Sequence, residues 1–405
     1  MGDETDLLVR ECKIVRIASG LSHDGFVIEG KGKIVAPSFC DTHVHFRTPG
    51  QTHKEDIFTG SASALAGGFT TVLQMPNTNP AIDSPELVRD LTRDEPIELR
   101  VIAAITKGIS SGELNDLHSL LDAGAVGFSD DGKPVTDPAL MKKALEFSKS
   151  HGIPIVSHSE DLSIGAQGSV RAGWIAEKLG LDGWDPAREY AMVERDCELA
   201  KITGGHLHVC HVSTKESVEI IRRAKSEGVK VSSEVTPHHI SLVSEDVIKL
   251  GANAKMNPPL GTPEDREALI GALCDGTIDC IASDHAPHTE MEKMASLAEA
   301  PFGVIGLETS FSVCHTELVI KRDAISLEKL VGLISKRPRE IFSLHAIEIR
   351  EGSGANFVLI DPDLHWRPDV RSFKSKGRNC PFDGMPLTGK VVLTVYKGRI
   401  AYRHE

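Results

Sequence analysis

Residues 33–46 read KIVAPSFCDTHVHF, a nearly unbroken apolar run that ends among Asp41, His43 and His45. Such runs are typical of parallel strands that are buried on both faces. The same theme, an apolar run that ends in polar residues and is followed by a helical pattern, recurs at residues 70–77, 99–106, 125–132, 153–160, 206–213, 229–239 and 278–288. Eight strand–helix units in succession predict an α/β fold, a (β/α)8 TIM-like barrel.

Helix start signals follow several of these runs. Ser84 and Asp137 each stand before a proline, as a capping residue does at the first helical turn. Ser213 with Glu216 reads as a capping box, and residues 262–265 (TPED) place acid near a helix N-terminus. The pattern therefore alternates strands with capped helices, as a barrel requires.

The two ends of the chain have a different pattern. Residues 1–36 and the residues from 345 onward alternate apolar and polar side chains and contain glycine turns, which is typical of short antiparallel strands. Because chain ends often lie close together, we expect residues 1–36 and 345–405 to form one small composite β-sheet domain. Residues 37–344 would then form the catalytic barrel.

The composition excludes several classes of function. The chain has 405 residues and a formal net charge of -13, which argues against nonspecific binding to nucleic acid or to an anionic membrane. No run is long and apolar enough to suggest a membrane helix, and the acidic N-terminus does not resemble a signal peptide. The eight cysteines include no CxxC pair, so we expect reduced thiols in a cytoplasmic protein.

The pair His43 and His45 carries the first chemical signal. Catalytic groups of a barrel lie at the carboxyl ends of its strands. Side chains alternate along a strand, so these two imidazoles point to the same side, where they are natural zinc ligands. A single strand-end histidine is more often structural, but a pair at the end of the first strand, with Arg47 following, favours a metal site.

Residues of metal-ligand type end four other predicted strands. The pair Asp130 and Asp131 ends the fourth, His158 the fifth, His211 the sixth and Asp284 the eighth. Each alone could be a turn residue or a core histidine, but together they suit two metal ions of borderline character, with zinc as the first expectation. Two neighbouring ions can share a hydroxide, lower its pKa and polarise a carbonyl, which is chemistry for hydrolysing an amide or for closing one.

Seven short segments lie at or near these strand ends: HVHFR (43–47), MPNTNP (75–80), FSDDG (128–132), TPHH (236–239), MNPPL (256–260), SDHAPH (283–288) and APFG (300–303). In this order they resemble the amidohydrolase superfamily and, more closely, the class I dihydroorotases, over essentially the whole chain. The resemblance implies a hydrolase acting on cyclic amides, which interconverts N-carbamoyl-L-aspartate and L-dihydroorotate in de novo pyrimidine biosynthesis.

The resemblance also implies two Zn²⁺ ions per subunit and a set of ligands for them: His43, His45 and Asp284 for one ion, His158 and His211 for the other, and Asp131 as the bridge. Many relatives use a carboxylated lysine as the bridge, but here only Lys133 lies near Asp131. Asp130 is expected to have a turn or supporting role. Asp284 would have a catalytic role as well, moving a proton between the hydroxide and the ring nitrogen.

The substrate clamp that the resemblance implies has seven members: His45, Arg47, Asn77, Asn257, His288, Phe302 and Gly303. The guanidinium of Arg47 suits a carboxylate, and Gly303 allows close approach of the backbone. One departure is Thr48, which stands where relatives commonly have an acid. The other nearby histidines (His206, His208, His238, His239 and His285) are expected to be supporting, and residues 289–300 to form a solvated helix or a mobile loop.

Two alternatives stay open. Another cyclic amidohydrolase, a hydantoinase (dihydropyrimidinase) or allantoinase, would use the same metals and fold, and the clamp of Arg47 and His288 argues for a substrate with a free carboxylate instead. A dihydroorotase-like inactive scaffold usually lacks the metal ligands. The partner expected is a small-molecule substrate, with neither nucleic acid nor membrane, and the sequence leaves open a homodimer and an association with aspartate transcarbamoylase.

Overall fold

A single eight-stranded parallel sheet forms the centre of the fold in the computed structural model, which describes residues 5–22 and 25–404. Positions 1–4, 23–24 and 405 of the predicted terminal segments lie outside the described residues. The sheet order follows the chain, and the sheet closes where Val44 pairs with His285 and the His45 amide donates to the His285 carbonyl at 2.9 Å. The predicted barrel is confirmed.

The barrel strands are short and buried on both faces, because helices cover the outside and side chains fill the inside. Their bounds are Phe39–Val44, Phe69–Gln74, Glu98–Ala104, Gly127–Ser129, Ile155–Ser157, Leu207–Val209, Val231–Val235 and Cys280–Ile281. Each of the eight predicted runs overlaps one of them, and two of the strands, Phe69–Gln74 and Glu98–Ala104, begin one residue before the predicted run. The first run also contains a separate strand, Ile34–Pro37, which pairs with the small sheet instead of the barrel.

Helices surround the barrel between these strands. The α-helices and π-helical segments are Ile57–Gly67, Pro85–Leu91, Leu117–Asp122, Pro138–His151, Trp174–Leu179, Ala187–Thr203, Lys215–Ser226, Pro237–Ser241, Val247–Leu250, Pro263–Asp275, Glu290–Lys293, Ser310–Cys314, His315–Lys321, Leu327–Val331, Gly332–Lys336 and Arg337–Ile341. Short 3-10 turns occur at Lys107–Ile109, Ser244–Asp246, Gly251–Ala254 and Val370–Ser372, and two-residue strands at Val170–Arg171 and Gly183–Trp184.

Three of the four predicted helix caps are confirmed, at Ser84, Asp137 and Thr262. The prediction that Ser213 caps a helix was wrong, because the cap is Thr214, whose hydroxyl accepts from the Ser217 amide at 3.2 Å. The Ser213 hydroxyl instead donates to the buried carboxylate of Glu189.

The N- and C-terminal segments form the predicted small antiparallel sheet from strands Ile34–Pro37, Phe357–Trp366, Leu387–Tyr396 and Arg399–Arg403. A hairpin of Asp6–Arg10 and Lys13–Ala18 packs Ile14 against this sheet. The domain boundaries after residues 36 and 344 stay a prediction. All eight cysteines are unpaired. None of the helices in the described part of the chain is both long enough and apolar enough to cross a bilayer.

Candidate active site at the barrel mouth

The carboxyl ends of five barrel strands bring the six predicted metal ligands to one point, and all six are buried: His43, His45, Asp131, His158, His211 and Asp284. The strands end within a few residues of each ligand, so the closed sheet itself sets their positions. This is the edge of a barrel where catalytic side chains are found.

His43, His45 and Asp284 form the first cluster. Asp284 Oδ1 lies 3.2 Å from His45 Nε2 and 3.6 Å from His43 Nε2. The backbone of Asp284 has a φ of 47°, a left-handed conformation that a non-glycine residue adopts at some energetic cost. One ligand atom from each of the three residues lies within 4.8 Å of the other two, which is close enough for one ion to bind all three.

Asp131 lies between this cluster and the remaining two histidines. Its Oδ1 is 3.5 Å from His43 Nε2, 3.4 Å from His158 Nδ1 and 4.0 Å from His211 Nε2. The neighbouring Asp130 turns away and accepts hydrogen bonds from the amide and hydroxyl of Thr106. Lys133 is exposed, so the position between the two histidine groups belongs to Asp131.

Two atoms of this cluster test whether a cation fits. His43 Nε2 and Asp131 Oδ1 are buried, and neither has a hydrogen-bond partner among the described residues. Burial of unpartnered polar atoms is costly, and a divalent ion near both would satisfy them. Imidazole nitrogen and carboxylate oxygen are the donors that zinc accepts. The residues therefore fit a divalent metal.

The electrostatics of the cluster agree with that fit. Burial alone would keep the Asp131 and Asp284 carboxyl groups neutral, but the nearby histidines outweigh it and hold both pKa values well below the usual range. Burial, together with the proximity of His158 and His43, lowers the pKa of His211 to about 3. The same carboxylates raise the pKa of His43 well above its usual range and that of His158 to about 10, so a divalent cation that binds here would take the place of protons on these two rings.

Hydrogen bonds behind the cluster fix two of the imidazole rings. His43 Nδ1 donates to Glu234 Oε1 at 2.8 Å, and His45 Nδ1 donates to Asn77 Oδ1 at 2.9 Å. In both rings the Nε2 lone pair is then directed into the site. Asn77, which was predicted for the substrate clamp, also donates to Asp131 Oδ2 at 2.7 Å, so in this structure it contacts predicted metal ligands.

Arg47 and His288 lie together beside the cluster. Arg47 Nε donates to the Pro287 carbonyl at 3.1 Å, and Nη2 lies 3.2 Å from His288 Nε2. The structure gives Arg47 Nη1 no hydrogen bond to the described residues. His288 Nε2 donates to the Phe302 carbonyl at 2.8 Å. An arginine held by its Nε with a terminal nitrogen unused can bind an anionic ligand.

Gly303 and Asn379 hold this part of the site in place. Gly303 has a φ of 127°, and a Cβ there would lie 2.8 Å from the Ala286 Cβ and 3.1 Å from His288 Nε2, so only glycine fits. Asn379 donates to the carbonyls of Ala286 and Gly303 at 3.0 and 3.1 Å and accepts from the His288 amide at 3.2 Å. Sequence reasoning missed Asn379, which belongs to the C-terminal segment.

Asn257 lies elsewhere in the site, away from the arginine. Its Nδ2 donates to Glu160 Oε2 at 3.0 Å and is 3.2 Å from His158 Nε2. Among the described residues no hydrogen bond joins Asn257 to Arg47 or His288. The structure therefore places His288 beside Arg47, with Phe302 and Gly303 next to His288, and places Asn257 next to a predicted metal ligand.

The remaining histidines contact other buried groups. His206 Nε2 and His208 Nδ1 share the Ser232 hydroxyl at 2.8 and 2.9 Å, and His208 Nε2 lies 3.2 Å from Glu234 Oε2. His239 donates to the Pro258 carbonyl at 3.0 Å. His285 Nε2 donates to Glu55 at 3.3 Å, whereas His238 Nε2 is buried with no partner among the described residues.

The segment from Thr289 to Ala300 has one helical turn, Glu290–Lys293, and is attached to the barrel mouth. Glu292 forms an ion pair with Lys54 at 2.7 Å, and Lys293 Nζ donates to the carbonyls of Ala252 and Pro301 at 2.8 and 2.9 Å. Its methionines, Met291 and Met294, are 84% exposed.

Known proteins resemble this chain over its whole length. The family model for dihydro-orotase-like proteins matches residues 32–217. Dihydroorotase from Sulfurihydrogenibium sp. (strain YO3AOP1) is 45% identical over 100% of this chain and 96% of that protein. The chain belongs to the dihydroorotase family. The dihydroorotase of Anoxybacillus flavithermus (strain DSM 21510 / WK1) is 43% identical over 99% of this chain and 95% of that protein.

Solved structures of related enzymes have the same fold as this member of the dihydroorotase family. L-Hydantoinase (dihydropyrimidinase) from Arthrobacter aurescens matches with a TM-score of 0.86 and 27% identity over 98% of this chain and 92% of its own. Dihydropyrimidinase from Brevibacillus agri NCHU1002 matches with a TM-score of 0.85 at 23% identity over 99% and 92%, which shows the fold alone. The amidohydrolases are metal-dependent, and the clusters described above could bind metal.

Proposed function

We propose that this chain is a dihydroorotase, which closes N-carbamoyl-L-aspartate to L-dihydroorotate with loss of water, and reverses that reaction, in de novo pyrimidine biosynthesis. One observation carries the proposal: a buried cluster of histidines and carboxylates lies beside Arg47, and both the cluster's ligand atoms, His43 Nε2 and Asp131 Oδ1, and Arg47 Nη1 lack a hydrogen bond to the described residues. The full-length similarity to dihydroorotases supports it.

Two zinc ions would be held by the six clustered residues as the sequence predicts, with Asp131 between them. When bound, such ions polarise an amide carbonyl and lower the pKa of water, so that a nucleophile is available near neutral pH. The unpartnered atoms of His43 and Asp131 support this assignment.

Asp284 is the residue proposed to move protons. In ring opening, the bond between the ring nitrogen and the adjacent carbonyl carbon breaks, the carbon gains the oxygen of water, and the nitrogen gains a proton. The Asp284 carboxylate takes that proton from water and delivers it to the nitrogen, and ring closure reverses the transfer. Its low pKa means that it begins the opening reaction ionised, as a base must.

Arg47 is proposed to bind the carboxylate that the substrate retains in both ring states. Nη1 has no hydrogen bond within the described part of the chain and would make this contact, while the bond from Nε to the Pro287 carbonyl fixes the plane of the guanidinium. His288, which lies beside Arg47 and has Phe302 and Gly303 next to it, would complete the site for the substrate carboxylate, and Asn257 would contact the ring amide. Neutral cyclic amides, the substrates of the structurally similar hydantoinases, would leave Arg47 unused, so we favour the carboxylated ring.

A substrate panel tests the proposal. Zinc-loaded protein is incubated separately with L-dihydroorotate, hydantoin, dihydrouracil and allantoin, and ring opening is followed by ultraviolet absorbance. Opening of dihydroorotate alone supports the proposal. Opening of the neutral rings instead would be consistent with the metal site but would contradict the pyrimidine assignment. If no ring is opened, the inactive scaffold is favoured. Cytoplasmic location, a homodimer and association with aspartate transcarbamoylase stay predictions.

A further inference from the structure

Glu160 is a buried carboxylate to which the proposed reaction gives no role. It follows the fifth barrel strand and is 3% exposed. Its Oε1 accepts hydrogen bonds from Trp184 Nε1 at 3.0 Å and Arg188 Nε at 2.9 Å. Its Oε2 accepts from Asn257 Nδ2 at 3.0 Å and lies 3.4 Å from His158 Nε2. One carboxylate thus contacts a predicted metal ligand and a predicted substrate residue at the same time.

The contact with His158 decides which ring nitrogen faces the metal cluster. A carboxylate only accepts hydrogen bonds, so an Nε2 that faces Glu160 Oε2 at 3.4 Å carries the proton. Asn257 Nδ2 is 3.2 Å from the same ring nitrogen, but it donates to Glu160 Oε2 at 3.0 Å instead. Nδ1 then carries the lone pair, and this atom lies 3.4 Å from Asp131 Oδ1 and 2.9 Å from His211 Nε2. Glu160 therefore orients His158 so that its Nδ1 lone pair faces the metal cluster, whereas Glu234 orients His43 so that its Nε2 lone pair does.

The contact with Asn257 decides how its carboxamide is turned. Because Nδ2 donates to Glu160, the amide nitrogen is directed to the protein, and Oδ1 is left to accept from an N–H group. A cyclic amide and its ureido product both carry such N–H groups. Arg188 fixes the carboxylate from behind, since it is 2% exposed and also donates to the Ile164 carbonyl at 2.9 Å.

We propose that Glu160 is a positioning residue that links the metal site to the substrate site, by fixing the tautomer of His158 and the orientation of the Asn257 carboxamide together. The inference rests on the proposed function, because it gives both contacts a purpose in that reaction. It also explains why a carboxylate is needed: four N–H groups converge on two oxygens, and no neutral side chain of this size accepts on both ends.

The variant Glu160→Gln tests this requirement. Its amide can place oxygen toward Asn257 and His158 or toward Trp184 and Arg188, and the NH2 group then faces two donors at the other end. We expect zinc affinity to fall about 10- to 100-fold, as for loss of other partners of ligating histidines. We also expect the KM for L-dihydroorotate to rise by up to about tenfold, the value of the one neutral hydrogen bond that Asn257 Oδ1 would no longer accept from the substrate.

Two matched variants separate these effects. Trp184→Phe removes one donor to Oε1 and leaves Oε2 and its two contacts, so zinc affinity and KM should both stay near the wild-type values. Glu234→Gln should weaken zinc binding without raising KM. Glu234 contacts the predicted metal ligand His43 as well as His208 and Thr42, and none of these three is a predicted clamp residue. Zinc affinity is measured by competition with a chelator, independently of activity.

The outcomes divide clearly. Weaker zinc binding together with a raised KM in Glu160→Gln, and neither change in Trp184→Phe, supports the link. If zinc affinity and KM in Glu160→Gln both equal the wild-type values, or if only one of them changes, the link is overturned. If the wild-type protein neither binds zinc nor opens dihydroorotate, the proposed function is overturned instead. Should Glu160→Gln not fold, Glu160→Asp takes its place, because the shorter side chain keeps the charge but withdraws the carboxylate from His158 and Asn257. Weaker zinc binding together with a raised KM in that variant supports the link, and a wild-type value of either overturns it.

Discussion

Replacement of Arg47 by methionine is the perturbation with the most specific expected result. Methionine keeps an apolar stem and removes the guanidinium, whose Nη1 has no hydrogen bond to the described residues and whose Nε is bound to Pro287. A substrate carboxylate that accepts one hydrogen bond from Nη1 and one from Nη2, which also faces His288, makes two charged hydrogen bonds. Each contributes about 1.5–3 kcal/mol. Because water replaces these bonds in part, we expect the variant to lose about 3–4 kcal/mol of transition-state stabilisation, which lowers kcat/KM by about 10²- to 10³-fold.

The assay compares two rings that differ in this carboxylate. Values of kcat/KM are measured for L-dihydroorotate and for dihydrouracil, and their ratio should fall by about 10²- to 10³-fold in Arg47→Met. Arg47→Lys should give an intermediate ratio, because it keeps the charge and loses the planar fork. Equal zinc content in all three proteins excludes damage to the metal site. An unchanged ratio would refute the assignment of Arg47 to the substrate carboxylate.

Three further predictions concern stability. Burial raises the pKa of the Glu308 carboxyl from its ordinary value of 4.5 to about 7. Between these two pH values the folded protein keeps a proton that the unfolded chain releases, so the free energy of unfolding falls as pH rises through that interval. Glu308→Gln should therefore stabilise the folded protein by about 1–3 kcal/mol at pH 8 and by little at pH 5. A difference in melting temperature between variant and wild type that is equal at the two pH values would contradict this. Gly67→Ala should destabilise by about 1–3 kcal/mol, since its Cβ would lie 2.1 Å from the Leu307 carbonyl oxygen, whereas Gly271→Ala, with nothing within 4 Å, should be neutral or stabilising in urea denaturation. Chelation of zinc should lower the melting temperature, because bound metal favours the folded state, and an unchanged value would count against metal in this site.

The eight barrel strands could be predicted because burial on both faces demands a continuous apolar run, which is visible in one sequence. The ligand positions could be predicted for a related reason: parallel strands in a closed sheet carry their carboxyl ends to one rim, so residues such as His43 and Asp284 meet although they are far apart in the chain. The motif resemblance then supplied the substrate.

The supporting residues could not be predicted in this way. Glu234 lies 191 positions from His43, and Asn379 lies 93 positions from the Ala286 carbonyl that it binds. A single polar residue gives no periodic signal, and its role depends on which side chain the fold places against it. The same limit explains Asn77, which looks like a substrate residue in sequence and contacts His45 and Asp131 in the structure.

The central claim is that this cluster binds zinc and, with it, opens L-dihydroorotate. The most direct test is to remove metal with a chelator, add zinc back stepwise, and follow ring opening in wild-type protein and in Asp284→Asn. The account predicts no opening without metal, a rise that reaches its plateau at two zinc ions per chain, and no opening by Asp284→Asn even when zinc is saturating. Full activity in metal-free protein, or wild-type rates in Asp284→Asn, would contradict it.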